Sequence, residues 1–135
     1  MAIRKMEHLA IAVKDLQKSR ELFGKLLGKE AYKTEKVDSQ GVETVFFMLG
    51  ETKIELLGSL NEKNAVEKFI KKKGEGMHHF ALAVDNIAEE TERLKKEGFE
   101  FLYDEPQAGA DNKIINFIHP KSTGGILIEL CQEKK

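Results

Sequence analysis

Two histidines and two glutamates stand out because each lies in an apolar stretch and each has a counterpart. His8 opens His8-Leu9-Ala10-Ile11-Ala12-Val13 and His79 opens His79-Phe80-Ala81-Leu82-Ala83-Val84, at a shift of 71 (79 − 8). Glu55 lies in Lys53-Ile54-Glu55-Leu56-Leu57 and Glu129 in Leu127-Ile128-Glu129-Leu130-Cys131, at a shift of 74 (129 − 55). Two neutral imidazoles and two carboxylates suit a divalent ion of intermediate hardness. Burying the two acids together without a cation would cost several kcal/mol per ion. A single strand histidine is ordinarily a hydrogen-bonding residue, and a single glutamate in a terminal strand ordinarily faces water. The repeat that pairs all four favours the metal.

The elements around these residues must aim them at one place. Side chains alternate along a strand, so His8, Ala10 and Ala12 share one face and Leu9, Ile11 and Val13 the other. The second copy sets His79, Ala81 and Ala83 against Phe80, Leu82 and Val84. The bulky face is the one a helix covers, and the small neighbours of each histidine leave room for something other than protein. Glu55 opposes Ile54 and Leu56, and Glu129 opposes Ile128 and Leu130, so each copy puts one imidazole and one carboxylate on its helix-free face.

Asp15-Leu16 and Asn86-Ile87 then read as a capping residue followed by the first apolar residue of a helix. The first helix carries Leu16, Leu22, Phe23, Leu26 and Leu27 as one apolar stripe and stops at Gly28; the second carries Ile87 and Leu94 and stops at Gly98. Extended sequence follows at 42–49 and 52–57 in the first half, and at 114–118 and 126–131 in the second. Both halves read β-α-β-β-β, and Val66, Phe69 and Ile70 space a linker helix between them. The expected architecture is α+β: one domain over 1–135, with a first module at 1–58, a linker helix at 59–76 and a second module at 77–135. The two modules are expected to form a curved mixed sheet that encloses a cleft.

Composition narrows the class. The chain has 135 residues, 41% hydrophobic and 33% charged, which suits a folded globular domain and not a disordered one. A net charge of −1 with interspersed signs leaves no basic stripe for phosphates, so nucleic acid is not an expected partner. The densest basic cluster, Lys71-Lys72-Lys73, suits a helix C-terminus. No stretch reaches the roughly 18 apolar residues of a membrane span. Cys131 is the only cysteine and the N-terminal residues lack the apolar core of a signal peptide, so the expected location is the cytoplasm.

From Met6 to Gln132 the chain resembles the vicinal-oxygen-chelate superfamily of glyoxalase I, extradiol dioxygenases, methylmalonyl-CoA epimerase and antibiotic-binding proteins. Gly76-Met77-His78-His79, Leu102-Tyr103-Asp104-Glu105-Pro106, Asn116-Phe117-Ile118-His119-Pro120-Lys121 and Gly125-Ile126-Leu127-Ile128-Glu129-Leu130 are similar to segments of the methylmalonyl-CoA epimerases. The resemblance implies metal ligands at His8, Glu55, His79 and Glu129, the residues that strand parity selects. The position of Glu55 is Gln in some of these epimerases. Some bacterial epimerases carry a third-strand glutamate proposed as a second base; the aligned residue here is Thr44, with Glu43 one place off. A two-residue turn at Gly50-Glu51 would pair Leu49 with Thr52 and Phe46 with Glu55, putting Thr44 and Phe46 on the metal side and Glu43 away from it.

The reaction so implied interconverts the epimers of methylmalonyl-CoA by removing its α-proton, with one divalent ion per chain (Co, Mn, Ni or Zn) chelating thioester and carboxylate oxygens and stabilising the enolate. Glu129 is the candidate base, since a carboxylate can both ligate and accept a proton; the second acid/base has no named residue. Lys113 and Asn116 fall where they would meet substrate or solvent, while His78 and His119 read as structural. The resemblance further implies an acyl-CoA substrate and a homodimer. The alternatives are a glyoxalase I-type lactoylglutathione lyase, which the segments around Pro106 and Pro120 disfavour, and a non-catalytic small-molecule-binding protein, which would have little need of four ligands.

Overall fold

The computed structural model describes residues 3–134. Its elements run β1 (Ile3–Ala12), α1 (Leu16–Leu27), β2 (Lys33–Val37), β3 (Val42–Leu49), β4 (Thr52–Ser59), α2 (Ala65–Lys73), β5 (Gly76–Val84), α3 (Ile87–Lys96), β6 (Gln107–Gly109), β7 (Lys113–Ile118) and β8 (Ile128–Glu133). The order is βαβββ, a helix, and βαβββ again, as the repeat implies. Within the described range the chain forms two compact units: residues 8–78, and residues 3–7 with 79–134.

In the 8–78 unit the strand order is β2-β3-β4-β1. β1 pairs with β4 in parallel, and β4 with β3 and β3 with β2 antiparallel. The turn at Gly50-Glu51 gives the register Leu49↔Thr52 and Phe46↔Glu55 that sequence parity requires. Helix α1 begins where Asp15 accepts from the Lys18 N–H (3.1 Å) and ends at Gly28, whose φ of 68° is the left-handed cap conformation that glycine adopts without strain. It lies on Val13, Val45, Phe47 and Leu56 through Leu16, Phe23 and Leu27. The expected stripe is too wide: Leu22 is 62% and Leu26 73% exposed. At about 100° per residue, Leu16, Phe23 and Leu27 fall along one line while Leu22 and Leu26 lie roughly 80–120° around the helix from it. The close approach of α1 to β4 rests on Gly58, where an added Cβ would stand 3.2 Å from the Leu16 Cβ.

Helix α2 is capped by Asn64, which accepts from the Glu67 N–H (2.9 Å) and donates to the Gly41 carbonyl (3.0 Å), and its last turn carries Lys71, Lys72 and Lys73. In the other unit the strand order is β5-β8-β7-β6, with β5 and β8 parallel and the remaining pairs antiparallel. Helix α3, capped by Asn86 onto the Glu89 N–H (3.1 Å), closes a core of Val84, Ile87, Leu94, Ile118 and Leu130. It ends at Lys96, two residues before Gly98. Strand β8 starts at Ile128 rather than Ile126: the Gly125 N–H donates to the Pro120 carbonyl (2.8 Å) and Thr123 bonds the Ile126 carbonyl, which holds Ile126 in the turn.

Candidate active site

Register partners present their side chains to one face of a sheet. In the 8–78 unit the pairs His8↔Lys53, Ala10↔Glu55 and Ala12↔Leu57 therefore share a face, which continues through Phe46 and Thr44 of β3 to Lys33 and Glu35 of β2. The opposite face carries Ile54, Leu56, Val45 and Phe47 under α1. On the helix-free face the His8 Nε2 stands 3.2 Å from the Glu55 Oε1, with both side chains 6% exposed. The Phe46 ring meets the imidazole edge-on, centroids 6.4 Å apart.

The other unit repeats this arrangement. The His79 Nε2 stands 2.8 Å from the Glu129 Oε1, the side chains 5% and 7% exposed, and Phe117 meets the imidazole edge-on at 5.2 Å. Phe46 is the register partner of Glu55, and Phe117 of Glu129. The two aromatic residues are 71 apart (117 − 46), the shift that relates His79 to His8, so this part of the repeat was open to sequence reading and was missed.

The donor chemistry of each pair fits a divalent cation. Each brings one imidazole nitrogen and one carboxylate oxygen out of water, on a face whose nearest strand neighbours, Ala10 and Ala81, have no bulk. A buried carboxylate is costly until a positive partner meets it, and a neutral imidazole beside it is an incomplete one.

The remaining candidates separate clearly. Thr44 (1% exposed) lies on the helix-free face, its hydroxyl donating to the Glu35 carbonyl (3.3 Å). Glu43 pairs with Gly58 and points to the opposite face. His78 packs edge-on against Phe69 of α2 at 5.0 Å. His119 accepts from the Lys121 N–H through Nδ1 (3.1 Å), capping the short turn at Pro120–Ser122. Neither Lys113 nor Asn116 is solvated. The Lys113 Nζ lies 3.9 Å from the Glu7 Oε2, both side chains buried, and 3.7 Å from the exposed Glu133 Oε1. Asn116 (1% exposed) spends its amide on Tyr103, accepting from its N–H (3.2 Å) and donating to its carbonyl (3.1 Å).

Sequence reasoning also passed over Lys53, only 8% exposed beside His8, and Tyr103, which packs with Leu127 against Ala81, Ile115, Phe117 and Cys131. Burial, and secondarily the charge of Glu129, push the Tyr103 phenol above its ordinary pKa, so it is a neutral donor near pH 7.

These features are those of a duplicated βαβββ scaffold with one buried imidazole–carboxylate pair in each copy, and residues 7–117 match the Glyoxalase/Bleomycin resistance protein/Dioxygenase superfamily, to which the chain belongs. Within it the chain belongs with the methylmalonyl-CoA epimerases. The mitochondrial methylmalonyl-CoA epimerase of Mus musculus is 40% identical over 129 residues, covering 95% of this chain and 72% of that protein. A variant of the Streptomyces coelicolor methylmalonyl-CoA epimerase, in complex with 2-nitronate-propionyl-CoA, superposes with a TM-score of 0.94 at 31% identity, covering 98% of this chain and 96% of that one. The lactoylglutathione lyase of Escherichia coli O157:H7 is 28% identical over 94% of this chain and 91% of its own.

Proposed function

We propose that this chain is a methylmalonyl-CoA epimerase in which His8, Glu55, His79 and Glu129 hold one divalent metal ion and Glu129 also removes the substrate α-proton. The observation that carries the reading is the duplicated buried pair, His8 with Glu55 at 3.2 Å and His79 with Glu129 at 2.8 Å. When bound, the ion supplies Lewis-acid polarisation of the thioester and carboxylate oxygens. Glu129 lies among Ala81, Phe117, Cys131 and Tyr103, where little water competes for its proton, and the Tyr103 phenol is a donor on the same face. Phe117 and Phe46 fix the two imidazoles by edge contacts.

An acyl-CoA substrate is supported by the methylmalonyl-CoA epimerases that this chain is similar to, one of them in complex with 2-nitronate-propionyl-CoA; a homodimer is proposed on resemblance to the superfamily. Among the described residues no helix is long and apolar enough to cross a membrane. Together with a single, buried cysteine this supports a cytoplasmic enzyme. The two units are proposed to form one domain.

The test is an epimerisation assay on one pure epimer of methylmalonyl-CoA, with the glutathione hemithioacetal of methylglyoxal as the competing substrate. Epimerisation of the thioester without turnover of the hemithioacetal supports the reading. The reverse result replaces it with the lyase, and no turnover of either, with ligand still bound, makes the chain a binding protein.

A further inference from the structure

Inverting a carbon centre requires a proton to leave from one face and another to arrive on the opposite face, so one fixed carboxylate is not enough. We infer that Glu35, on β2, is the second acid/base of this enzyme; the inference rests on the epimerase reading above.

The assignment comes from strand register. On the helix-free face of the 8–78 unit, the carboxylates among the described strand residues are Glu55 and Glu35. Glu55 lies 3.2 Å from His8 and is proposed as a ligand. Glu35 is the register partner of Thr44, and Thr44 of Leu57, so Glu35 stands across β3 from the ligand-bearing strand β4. Neighbouring strands are about 4.8 Å apart, which separates β2 from β4 by roughly 10 Å. The alternation along β2 confirms the face: Lys33, Glu35 and Val37 turn inward, while Thr34 turns toward α1 and accepts from Arg20 (2.8 Å). Contacts to Thr44 and Lys33 help hold Glu35 in place. Its carbonyl accepts from the Thr44 hydroxyl (3.3 Å), and its Oε1 lies 3.4 Å from the Lys33 Nζ on the same face. Its side chain is 31% exposed, which keeps a route for proton exchange with solvent, whereas Lys53 on the same face is only 8% exposed.

The steps balance. Glu129 takes the α-proton: the C–H bond breaks, its electron pair delocalises onto the thioester oxygen, and an O–H bond forms. Glu35, as the carboxylic acid, delivers its proton to the other face of the same carbon, its O–H bond breaking as the new C–H forms. Loss of one proton to solvent from Glu129 and gain of one by Glu35 reset the pair, and the reverse direction exchanges the two roles.

The experiment compares the parent protein with E35Q and E35D, each given either pure epimer of methylmalonyl-CoA in heavy water, with metal content measured on the same samples. E35Q should hold as much metal as the parent and lose inversion by 100-fold or more. It should still wash deuterium into one epimer with retained configuration, and E35D should recover part of the inversion. Inversion by E35Q at the parent rate overturns the assignment, as does loss of wash-in from both epimers at full metal content. A parent protein that inverts neither epimer overturns the epimerase reading itself, and the assignment with it.

Discussion

The two units carry the same imidazole–carboxylate–phenylalanine triplet in opposite settings. Around His79 and Glu129 the face is mainly apolar, made by Ala81, Ile115, Phe117, Cys131 and Leu127, with Tyr103, the buried Lys113 and Gln107 as its polar members. Around His8 and Glu55 it is polar, with Lys53, Thr44, Lys33 and Glu35. The repeat shifts make the substitutions explicit. Thr44 corresponds to Ile115 (115 − 44 = 71), Lys53 to Leu127 and Leu57 to Cys131 (127 − 53 = 131 − 57 = 74). Glu35, the partner of Thr44, has as its counterpart Gln107, the partner of Ile115. The repeat keeps the imidazole–carboxylate pairs while their surroundings differ. A dry setting suits a carboxylate that must take a proton from carbon, and a polar setting suits the half that receives charge and exchanges protons with solvent.

This asymmetry predicts unequal responses to equal substitutions. E129Q should lower α-hydrogen exchange of the epimer whose proton Glu129 removes by about 100- to 10,000-fold, the usual worth of a general base, while E55Q keeps measurable exchange from both epimers, because an amide oxygen can still ligate but an amide does not accept a proton near neutral pH. Deuterium uptake into methylmalonyl-CoA, with metal content measured alongside, separates the two; equal losses in both variants would erase the distinction between the halves.

Stability should show the same inequality less strongly. F46A and F117A each delete a ring that packs on an imidazole, at about 3–5 kcal/mol for a buried phenylalanine. F46A should cost more, since Phe46 is 1% exposed and Phe117 9%. Urea melts of both variants check the order. Residues 1–73 expressed alone should not melt cooperatively as a soluble monomer, because they are short of the size at which a core becomes secure. The smallest effect is expected at the caps, where D15A and N86A should each cost about 1 kcal/mol by urea melts; the matching cap geometry predicts near-equal losses.

Much of this was legible in the sequence because it rests on period and pairing. The β1 and β5 faces, the caps at Asp15 and Asn86, and the β3–β4 register through Gly50-Glu51 follow from alternation and turn chemistry alone. What was not legible has physical causes. Strand β2 reads Lys-Thr-Glu-Lys-Val, which carries too little apolar alternation to be told from a charged loop, yet its inward residues include Glu35. Strand β6 is three residues long, below any periodic signal. Leu22 and Leu26 looked like core because a count of leucines ignores angle. Asn116 reads as a group that meets substrate or solvent, since nothing local shows that its amide bonds the Tyr103 backbone.

The central claim is that the two pairs serve one ion, and metal stoichiometry tests it most directly. Protein stripped with a chelator and titrated with cobalt should take up one ion per chain, with the d–d absorption of a bound site, and H8A and H79A should each lose that tight uptake. Two ions per chain in the parent, or a full-strength site surviving in either single-histidine variant, would show that each unit binds metal by itself and would contradict the account.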